Sequence, residues 1–155
     1  MPPSQMKTPR IYIDTSVVGG CEDDEFAEAS CELFEQARIG GIKLVVSELL
    51  LRELARAPEA VQARLAALPP ACVEYLAETA EARILQSCYT TAEIVGPAQL
   101  NDALHVALAT VAGVDVIASW NFKHIVHYDK IRLFNAVNLR EGYTLVDIRS
   151  PLEIV

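Results

Sequence analysis

The sequence predicts a single α/β domain in which helices cover both faces of a central, mostly parallel sheet. Two observations predict this class. Short apolar runs that suit strands alternate along the chain with longer stretches that suit helices, as in successive βαβ units. The runs at 43–46 and 114–118 are also predominantly apolar, as strands are when both faces of a sheet are buried. With 155 residues, 52% of them hydrophobic, the chain can bury one substantial core.

The first predicted elements are a strand at 10–14 and a helix at 24–38. Gly40-Gly41 follows that helix, and glycine is common just past a helix C-terminus. A second strand at 43–46 leads to Ser47, whose hydroxyl can cap the next helix by accepting a backbone N–H.

Prolines mark the boundaries in the middle of the chain. Pro58 stands where a further helix can begin, and Pro69-Pro70 ends that helix, because proline is tolerated in the first helical turn but not further in. A short strand near Val73 and a helix at 77–90 follow.

The last third of the chain opens with an almost wholly apolar helix over 97–112, which Gly113 ends. A strand follows at 114–118, and an irregular turn leads from it to a helix at 129–140. A strand at 143–148 completes the predicted sheet.

We expect one domain at 10–150, between a short disordered tail at 1–9 and a C-terminal tail at 151–155. The first stretch is polar and proline-rich and lacks the apolar segment of a secretory signal. No run is long and apolar enough to cross a membrane, so we expect a cytoplasmic protein. The cysteines form neither a C-x-x-C pair nor a zinc pattern with the histidines, which predicts reduced thiols.

The formal net charge of −8 argues against non-specific binding of nucleic acid by bulk positive charge. The charge is unevenly spread, however. An acidic run lies at 22–25, and a locally basic stretch lies at 123–132. Within the acidic run, we interpret Asp24 as the N-cap of the helix at 24–38.

Acidic and small polar residues follow the predicted strands. Asp14 comes directly after the first strand, with Thr15 and Ser16 beside it. Ser119 and Asn121 follow the strand of the last third. Because ligands bind at the carboxyl ends of the strands in an open α/β sheet, this pattern favours a site there. For Asp14 alone, a turn residue is an equally good interpretation.

Two glutamates in the helix after Ser47 are candidates for the site at the carboxyl ends of the strands. Glu48 lies in the first turn and four residues before Arg52, so the helix dipole and an ion pair explain it. Glu53 falls on the core-facing stripe, where a carboxylate needs a partner, a proton or a metal. We favour Glu53 as a ligand, with an ion pair to Arg56 as the structural alternative.

A third acid lies in the apolar helix over 97–112. Asp102 shares a polar stripe with Gln99 and His105, three residues apart, while the rest of the helix is almost wholly apolar. The alternative is a stripe that faces solvent, but Thr110 is the only polar residue after His105. His105 can orient Asp102 or contact the substrate. More commonly, a histidine in such a position makes its hydrogen bonds within the protein and does not contact the substrate.

Three carboxylates from separate elements suit a hard divalent cation, because Mg²⁺ and Mn²⁺ prefer oxygen ligands. Such a cation polarises phosphate and lowers the pKa of a bound water, which is the chemistry of phosphodiester hydrolysis. Asn121 can contribute its carbonyl oxygen but brings no charge. We interpret Trp120 as a packing residue rather than a base-stacking one.

Four segments of the chain resemble the PIN-domain nucleases, and among them the VapC-type ribonuclease toxins of prokaryotic toxin–antitoxin pairs. The segments are IYIDTSVVGG (11–20), VVSELLLREL (45–54), NDALHVALATVAGVDVIASWNF (101–122) and GYTLVDIRSP (142–151). The resemblance implies a Rossmann-like three-layer α/β/α fold and Mg²⁺- or Mn²⁺-dependent cleavage of RNA. It also implies a homodimer and a small antitoxin protein that silences the enzyme.

The resemblance extends to single positions. Asp14, Glu53 and Asp102 match the family's first three acidic ligands, and Thr15 or Ser16 matches its hydroxyl position. The fourth acidic position falls on Asn121, a departure from the family's usual Asp. The candidate catalytic residues are therefore Asp14, Thr15, Ser16, Glu53, Asp102, Ser119 and Asn121. We expect the RNA backbone to be held by Lys123, His124 or Lys130.

Two other functions stay open at this point. A PIN-like module that binds RNA or protein but cleaves poorly is favoured by Asn121. A phosphatase or phosphoacceptor domain would use Asp14 as its nucleophile, but Ser16 stands where an Asp-x-Asp motif needs its second acid. Lys123 is the only candidate for the lysine that such a domain also needs.

Overall fold

Five parallel strands form one sheet in the computed structural model, which describes residues 7–155. The strands are β1 (Arg10–Ile13), β2 (Lys43–Ser47), β3 (Val73–Leu76), β4 (Val116–Ala118) and β5 (Asp147–Arg149). They lie in the order β3-β2-β1-β4-β5, and every neighbouring pair is parallel. From β1 the chain adds β2 and β3 on one side, and it then adds β4 and β5 on the other side. The topological switch point, where ligands bind in such sheets, therefore lies between β1 and β4.

Helices cover the sheet on both faces, so the predicted three-layer α/β architecture is confirmed. They are α1 (Thr15–Gly20), α2 (Ala27–Arg38), α3 (Glu48–Leu54), α4 (Glu59–Ala66), α5 (Ala80–Thr91), α6 (Leu100–Ala112) and α7 (Tyr128–Arg140). Buried residues of α1, α2 and α4 pack on one face, and those of α5, α6 and α7 pack on the other.

The side chains of β1 alternate between these two cores, as the pleat of a strand requires. Ile11 and Ile13 pack into one hydrophobic cluster, whereas Tyr12 packs into the other. On the Tyr12 side, α6 is the central helix, and all of its residues from 103 to 110 are buried. The carboxyl end of β1 thus lies between two cores, and a polar side chain placed there is largely withdrawn from water.

A helix that the sequence did not predict follows β1 directly. The six residues of α1 include two glycines and two valines, which are weak helix formers. Val17 and Val18 are nevertheless fully buried, so tertiary packing supports the helix where local preference does not.

The helix predicted at 24–38 begins at Ala27, and the prediction of Asp24 as its N-cap is wrong. Phe26 occupies the N-cap position and makes no side-chain capping bond. The carboxylate of Asp23 instead accepts the backbone N–H of Glu25 at 2.8 Å, which forms a turn before the helix.

Two predicted helix boundaries are confirmed by their cap geometry. Ser47 Oγ accepts the N–H of Leu50 at 3.2 Å and caps α3. Gly113 has a φ of +67° and ends α6 in the left-handed region. The strand predicted at 143–148 is shorter, because the amide of Asn135 bonds to the backbone of Val146 in place of a neighbouring strand.

The two ends of the chain differ in how much the structure describes. The predicted tail at 1–9 lies outside the described residues for its first six positions. At the other end, Pro151–Glu153 forms a 3-10 turn, and Pro151 is buried. None of the helices within residues 7–155 has the length and apolar character that a membrane crossing requires.

Candidate active site

Asp14 follows β1 directly and is the buried acid at the switch point of the sheet, with only 4% of its surface exposed. Its Oδ1 accepts the hydroxyl of Ser16 and its Oδ2 accepts the hydroxyl of Ser119, both at 2.5 Å. Burial raises the pKa of the Asp14 carboxyl, while the charge of His105 and the two hydroxyls oppose that rise. The carboxylate is therefore desolvated but held in one orientation.

The same two hydroxyls fasten the loop after β4 to this carboxylate. Ser16 Oγ accepts the N–H of Trp120 at 2.9 Å, and Ser119 Oγ accepts the N–H of Asn121 at 2.9 Å. The ring of Trp120 stacks on Phe26 with centroids 4.2 Å apart, so the prediction that it is a packing residue is confirmed. The loop that carries Asn121 is thereby fixed at the sheet edge.

Glu53, in the last turn of α3, is held through one of its two oxygens. Thr15 Oγ1 lies 2.7 Å from Oε1 and His105 Nε2 lies 2.6 Å from the same atom. Burial raises the pKa of the Glu53 carboxyl, but the hydrogen bonds from His105 and Thr15 outweigh burial and hold it below its ordinary value. Within residues 7–155 no side chain donates to Oε2, so this oxygen is available to a ligand.

The ion pairs predicted around the two glutamates do not form among residues 7–155. Arg56 makes no salt bridge with Glu53 there. Arg52 pairs with the carboxylate of Glu78 rather than with Glu48. Glu48 instead accepts the backbone N–H of Glu78 at 3.1 Å. The prediction that Glu48 is structural thus holds with a different partner, because Glu78 attracts the Arg52 guanidinium.

Asp102 lies in the first turn of α6 and is half-buried. Burial raises the pKa of its carboxyl, whereas the side chain of Asn121 and the charges of His124 and His105 oppose that rise. The negative charge of Asp14 raises the pKa of Asp102 further. The third predicted acid is therefore within electrostatic reach of the first and of Asn121.

Taken together, the side chains of these residues fit a hard divalent cation in their chemistry. Asp14, Glu53 and Asp102 supply carboxylates, and hydroxyl and amide oxygens surround them. The set is not a preformed cage, since among residues 7–155 no three His, Cys, Asp or Glu side chains are close enough to coordinate one ion directly. Bridging waters, of which Mg²⁺ commonly keeps several, would close that gap.

A cleft of about 410 Å³ opens beside Glu53. Its lining also includes Leu49, Asn101 and the two arginines of this region, Arg52 and Arg56. Positive side chains next to a cluster of acids suit a substrate that carries negative charge away from its reacting bond.

The solved structures with a similar fold include the following three. VapC20 of Mycobacterium tuberculosis, described as a Sarcin-Ricin loop cleaving toxin, is 17% identical with a TM-score of 0.58, over 88% of this chain and 98% of that one. VapBC2 of Rickettsia felis, bound to a promoter DNA fragment, is 14% identical with a TM-score of 0.56, over 91% and 98%. FitAB bound to an IR36 DNA fragment is 12% identical with a TM-score of 0.55, over 91% and 94%.

No protein-family model and no curated protein matches the sequence. At the identities of the three structures, the likeness is one of fold. The chain has the PIN fold. The resemblance drawn from its motifs is therefore confirmed for the architecture, and the roles of the acids at 14, 53 and 102 stay predictions.

The residues expected to hold RNA differ in their exposure and in the hydrogen bonds that they already make within the protein. Lys123 is exposed. Lys130 donates its ammonium to the carbonyl of Ile94 at 2.6 Å, so its charge is partly occupied within the protein. His124 is partly buried, and its Nδ1 has no partner among the described residues. Asn121 Oδ1 accepts the N–H of His124 at 2.9 Å, which gives this amide a structural task as well.

Tyr12 and Ser47 belong to the site region, although sequence reasoning did not link them to it. The hydroxyl of Tyr12 lies 2.6 Å from His105 Nδ1 and 2.8 Å from Ser47 Oγ, and all three residues are buried. His105 thus bonds to Glu53 and not to Asp102, its neighbour on the helix. One signal was available: a tyrosine inside an apolar strand brings a hydroxyl into the core, where it needs a partner.

Proposed function

We propose that this protein is a metal-dependent endoribonuclease that hydrolyses RNA phosphodiester bonds, and that it is the toxin of a toxin–antitoxin pair. One observation carries the proposal. Asp14 and Glu53, from separate elements of a PIN fold, are held by hydroxyl and imidazole groups instead of being neutralised by a lysine or arginine. Asp102 adds a third carboxylate in the first turn of α6. A site that keeps uncompensated acids in partly desolvated positions is built for a cation.

In this proposal Asp14, Glu53, Asp102 and Asn121 hold Mg²⁺ or Mn²⁺. When bound, such a cation stabilises charge on the phosphate and makes water a better nucleophile at neutral pH. Neighbouring hydroxyl groups orient the carboxylates of Asp14 and Glu53. Those hydroxyls are on Thr15, Ser16 and Ser119.

RNA must approach a protein whose net charge is −8. Lys123 and His124, at the loop after β4, and Lys130, at the start of α7, are our candidates for contact with the RNA backbone. Arg56 in the cleft beside Glu53 adds a further positive charge, whereas Arg52 in the same cleft is paired with Glu78. Phosphate contacts of this kind position the strand without reading its sequence.

The partner that we propose is a small antitoxin protein, acting on a homodimer of this chain in the cytoplasm. Two of the structures with the same fold, VapBC2 and FitAB, are described as bound to DNA fragments. A chain with a formal charge of −8 is a poor DNA ligand by itself. A pair in which the antitoxin contacts DNA and this chain supplies the nuclease agrees with that charge.

A second candidate function is a PIN-fold module that binds RNA or protein but cleaves weakly. Asn121 favours it, because an amide stands where a fourth acid would otherwise strengthen cation binding. If this is correct, Asn121→Asp should raise cleavage above that of the wild type, since it adds the missing charge.

The deciding experiment is cleavage of a mixed RNA pool by purified protein with Mg²⁺, with Mn²⁺ and with EDTA. Asp14→Asn removes the charge at the site, and Asp129→Asn makes the same change at an exposed acid of α7. We expect metal-dependent cleavage that Asp14→Asn reduces at least about a hundredfold and Asp129→Asn leaves intact. A folded, antitoxin-free wild type that cuts with neither metal would overturn the nuclease in favour of the binding module.

A further inference from the structure

We propose that Tyr12, His105 and Ser47 form a buried relay that fixes the carboxylate of Glu53 and thereby sets the affinity of the site for a divalent cation. The three are positioning residues, since none of them is a proposed ligand. This inference rests on the proposed function, because it concerns the same cation. It goes beyond that function by assigning a task to three residues that lie in the core behind the acids.

The first argument is the way in which Glu53 is held. Both of its donors, Thr15 and His105, bond to Oε1, which leaves Oε2 free of donors within residues 7–155. A carboxylate anchored at one oxygen is fixed in orientation while it keeps the other for a ligand. Its side chain is 30% exposed, so without these anchors its χ angles would be free to turn towards solvent.

The second argument is that His105 is itself held on its other side. Its side chain is only 3% exposed, and its ring packs edge-on against Tyr12 with centroids 5.7 Å apart. Nδ1 lies 2.6 Å from the Tyr12 hydroxyl, while Nε2 lies 2.6 Å from Glu53. A histidine that is bonded through both ring nitrogens cannot flip or rotate without losing one bond in the core.

The third argument is that the bonds close into a ring. Tyr12 lies 2.8 Å from Ser47 Oγ, and Ser47 caps α3 by accepting the N–H of Leu50. Glu53 is on the same helix. The relay thus leaves α3 at its N-cap, crosses β1 and α6, and returns to α3 at the acid. Any shift of α3 relative to the sheet would strain a buried hydrogen bond.

When His105 is neutral, one set of hydrogen-bond directions gives every proton of the ring a partner. The N–H of Leu50 bonds to Ser47, the Ser47 hydroxyl donates to Tyr12, and the Tyr12 hydroxyl donates to His105 Nδ1. His105 then carries its proton on Nε2 and donates it to the Glu53 carboxylate. Outer groups that fix a ligand in this manner typically change metal affinity about 10–100-fold when they are removed.

The test compares two buried tyrosines. Tyr12→Phe removes only the hydroxyl that holds His105. Tyr89→Phe makes the same change at a fully buried tyrosine whose hydroxyl bonds to Asn138, outside the acid site. Binding of Mn²⁺ is measured from the EPR signal of the free ion, without RNA, and thermal unfolding in EDTA gives the stability of each variant.

We expect Tyr12→Phe to weaken Mn²⁺ binding about tenfold and Tyr89→Phe to leave it within about twofold, while both variants lose stability. In cleavage assays, Tyr12→Phe should need more Mg²⁺ for half-maximal rate, with an unchanged KM for RNA at saturating Mg²⁺. Equal Mn²⁺ affinity in the two variants would show that the Tyr12 hydroxyl is merely structural and would overturn the relay.

A second pair of variants covers the case in which Tyr12→Phe does not fold. His105→Gln keeps a donor near the position of Nε2, whereas His105→Leu has none. We expect His105→Gln to bind Mn²⁺ more tightly than His105→Leu, and equal losses would contradict the relay. Wild-type protein that neither binds Mn²⁺ nor cleaves RNA would overturn the proposed function, and the relay with it. Wild-type binding without an effect of these variants would overturn the relay alone.

Discussion

The acids of the candidate site differ in how many of their carboxylate oxygens already accept hydrogen bonds from the protein. Both oxygens of Asp14 accept hydroxyls, whereas Glu53 is held through Oε1 alone. The pKa values of Asp14 and Asp102 are raised, chiefly by burial, and that of Glu53 is lowered because its hydrogen bonds outweigh burial. Without a cation, the first and third acids are therefore sites of unfavourable charge, and Glu53 is the acid that the fold has stabilised.

This contrast predicts that Asp14→Asn stabilises the protein in EDTA at neutral pH. A raised pKa in the folded state means that the charged form of Asp14 opposes folding above its folded pKa, and the cost disappears below the unfolded pKa of about 3.8. We expect the variant to melt about 2–4 °C higher at pH 7.5, the shift that 1 kcal/mol produces in a domain of this size. The advantage should shrink as the pH falls toward 4.

Calorimetry at several pH values measures the effect, and Asp129→Asn at an exposed position is the control. Added Mn²⁺ should raise the melting temperature of the wild type and not that of Asp14→Asn, because a ligand stabilises only the state that binds it. A less stable Asp14→Asn at pH 7.5 in EDTA would contradict our account of the buried charge.

Among the elements, α1 joins the acids to the loop after β4. Gly20 lies against the side chain of Trp120, and a Cβ on Gly20 would stand 2.5 Å from Ser30 Oγ and 2.7 Å from Trp120 Nε1. Gly19, one residue earlier, has nothing within 4 Å of the same added atom. The two glycines of one helix thus differ only in what surrounds them.

We predict that Gly20→Ala destabilises the protein by about 1–3 kcal/mol, the range for overpacking a filled interior. The displaced Trp120 should also carry Ser119 and Asn121 away from Asp14 and lower cleavage. Gly19→Ala is the matched control and should be neutral or slightly stabilising, since alanine is the better helix former. Urea unfolding of both variants decides the matter, and equal stabilities would refute the close packing of α1 on the tryptophan.

Elements were predictable from sequence where their signal is local. Alternation of apolar runs, the capping hydroxyl of Ser47 and the glycine at 113 are such signals, and the structure confirms them. The helix α1 was not predictable from sequence, because it is stabilised by the burial of Val17 and Val18 against distant residues. Asp14 was proposed for the site from its place at a strand end, and Glu53 and Asp102 from their places on apolar helices. The relay behind Glu53 could not be predicted, because Tyr12 bonds to partners that are 35 and 93 residues away in the sequence.

For the whole molecule, net charge is the property that most constrains the RNA binding that we propose. A net charge of −8 repels a polyanion at long range, so we expect association to rest on few phosphate contacts and on the bound cation. Proteins that make 6–10 such contacts lose about 10³–10⁵ in affinity between 50 and 200 mM salt.

We therefore predict that KM for RNA changes less than about tenfold over that salt range when Mg²⁺ is saturating. Initial rates on a labelled RNA measure this, and Lys123→Ala should flatten the dependence further if that ammonium contacts a phosphate. A loss of a thousandfold or more would show that a basic surface, rather than the cation and the cleft, dominates binding.

The site draws its residues from far apart in the chain. Tyr12 and Asp14 lie near the start, Glu53 lies a third of the way along, and Asp102, Ser119 and Asn121 lie beyond residue 100. During synthesis the third acid is therefore absent until residue 102 has been added, and the loop that fastens the first acid is absent until residue 121 has been added. If the chain is the nuclease that we propose, its complete site cannot assemble before that loop has been made, so we expect a shorter nascent chain to be inactive towards RNA.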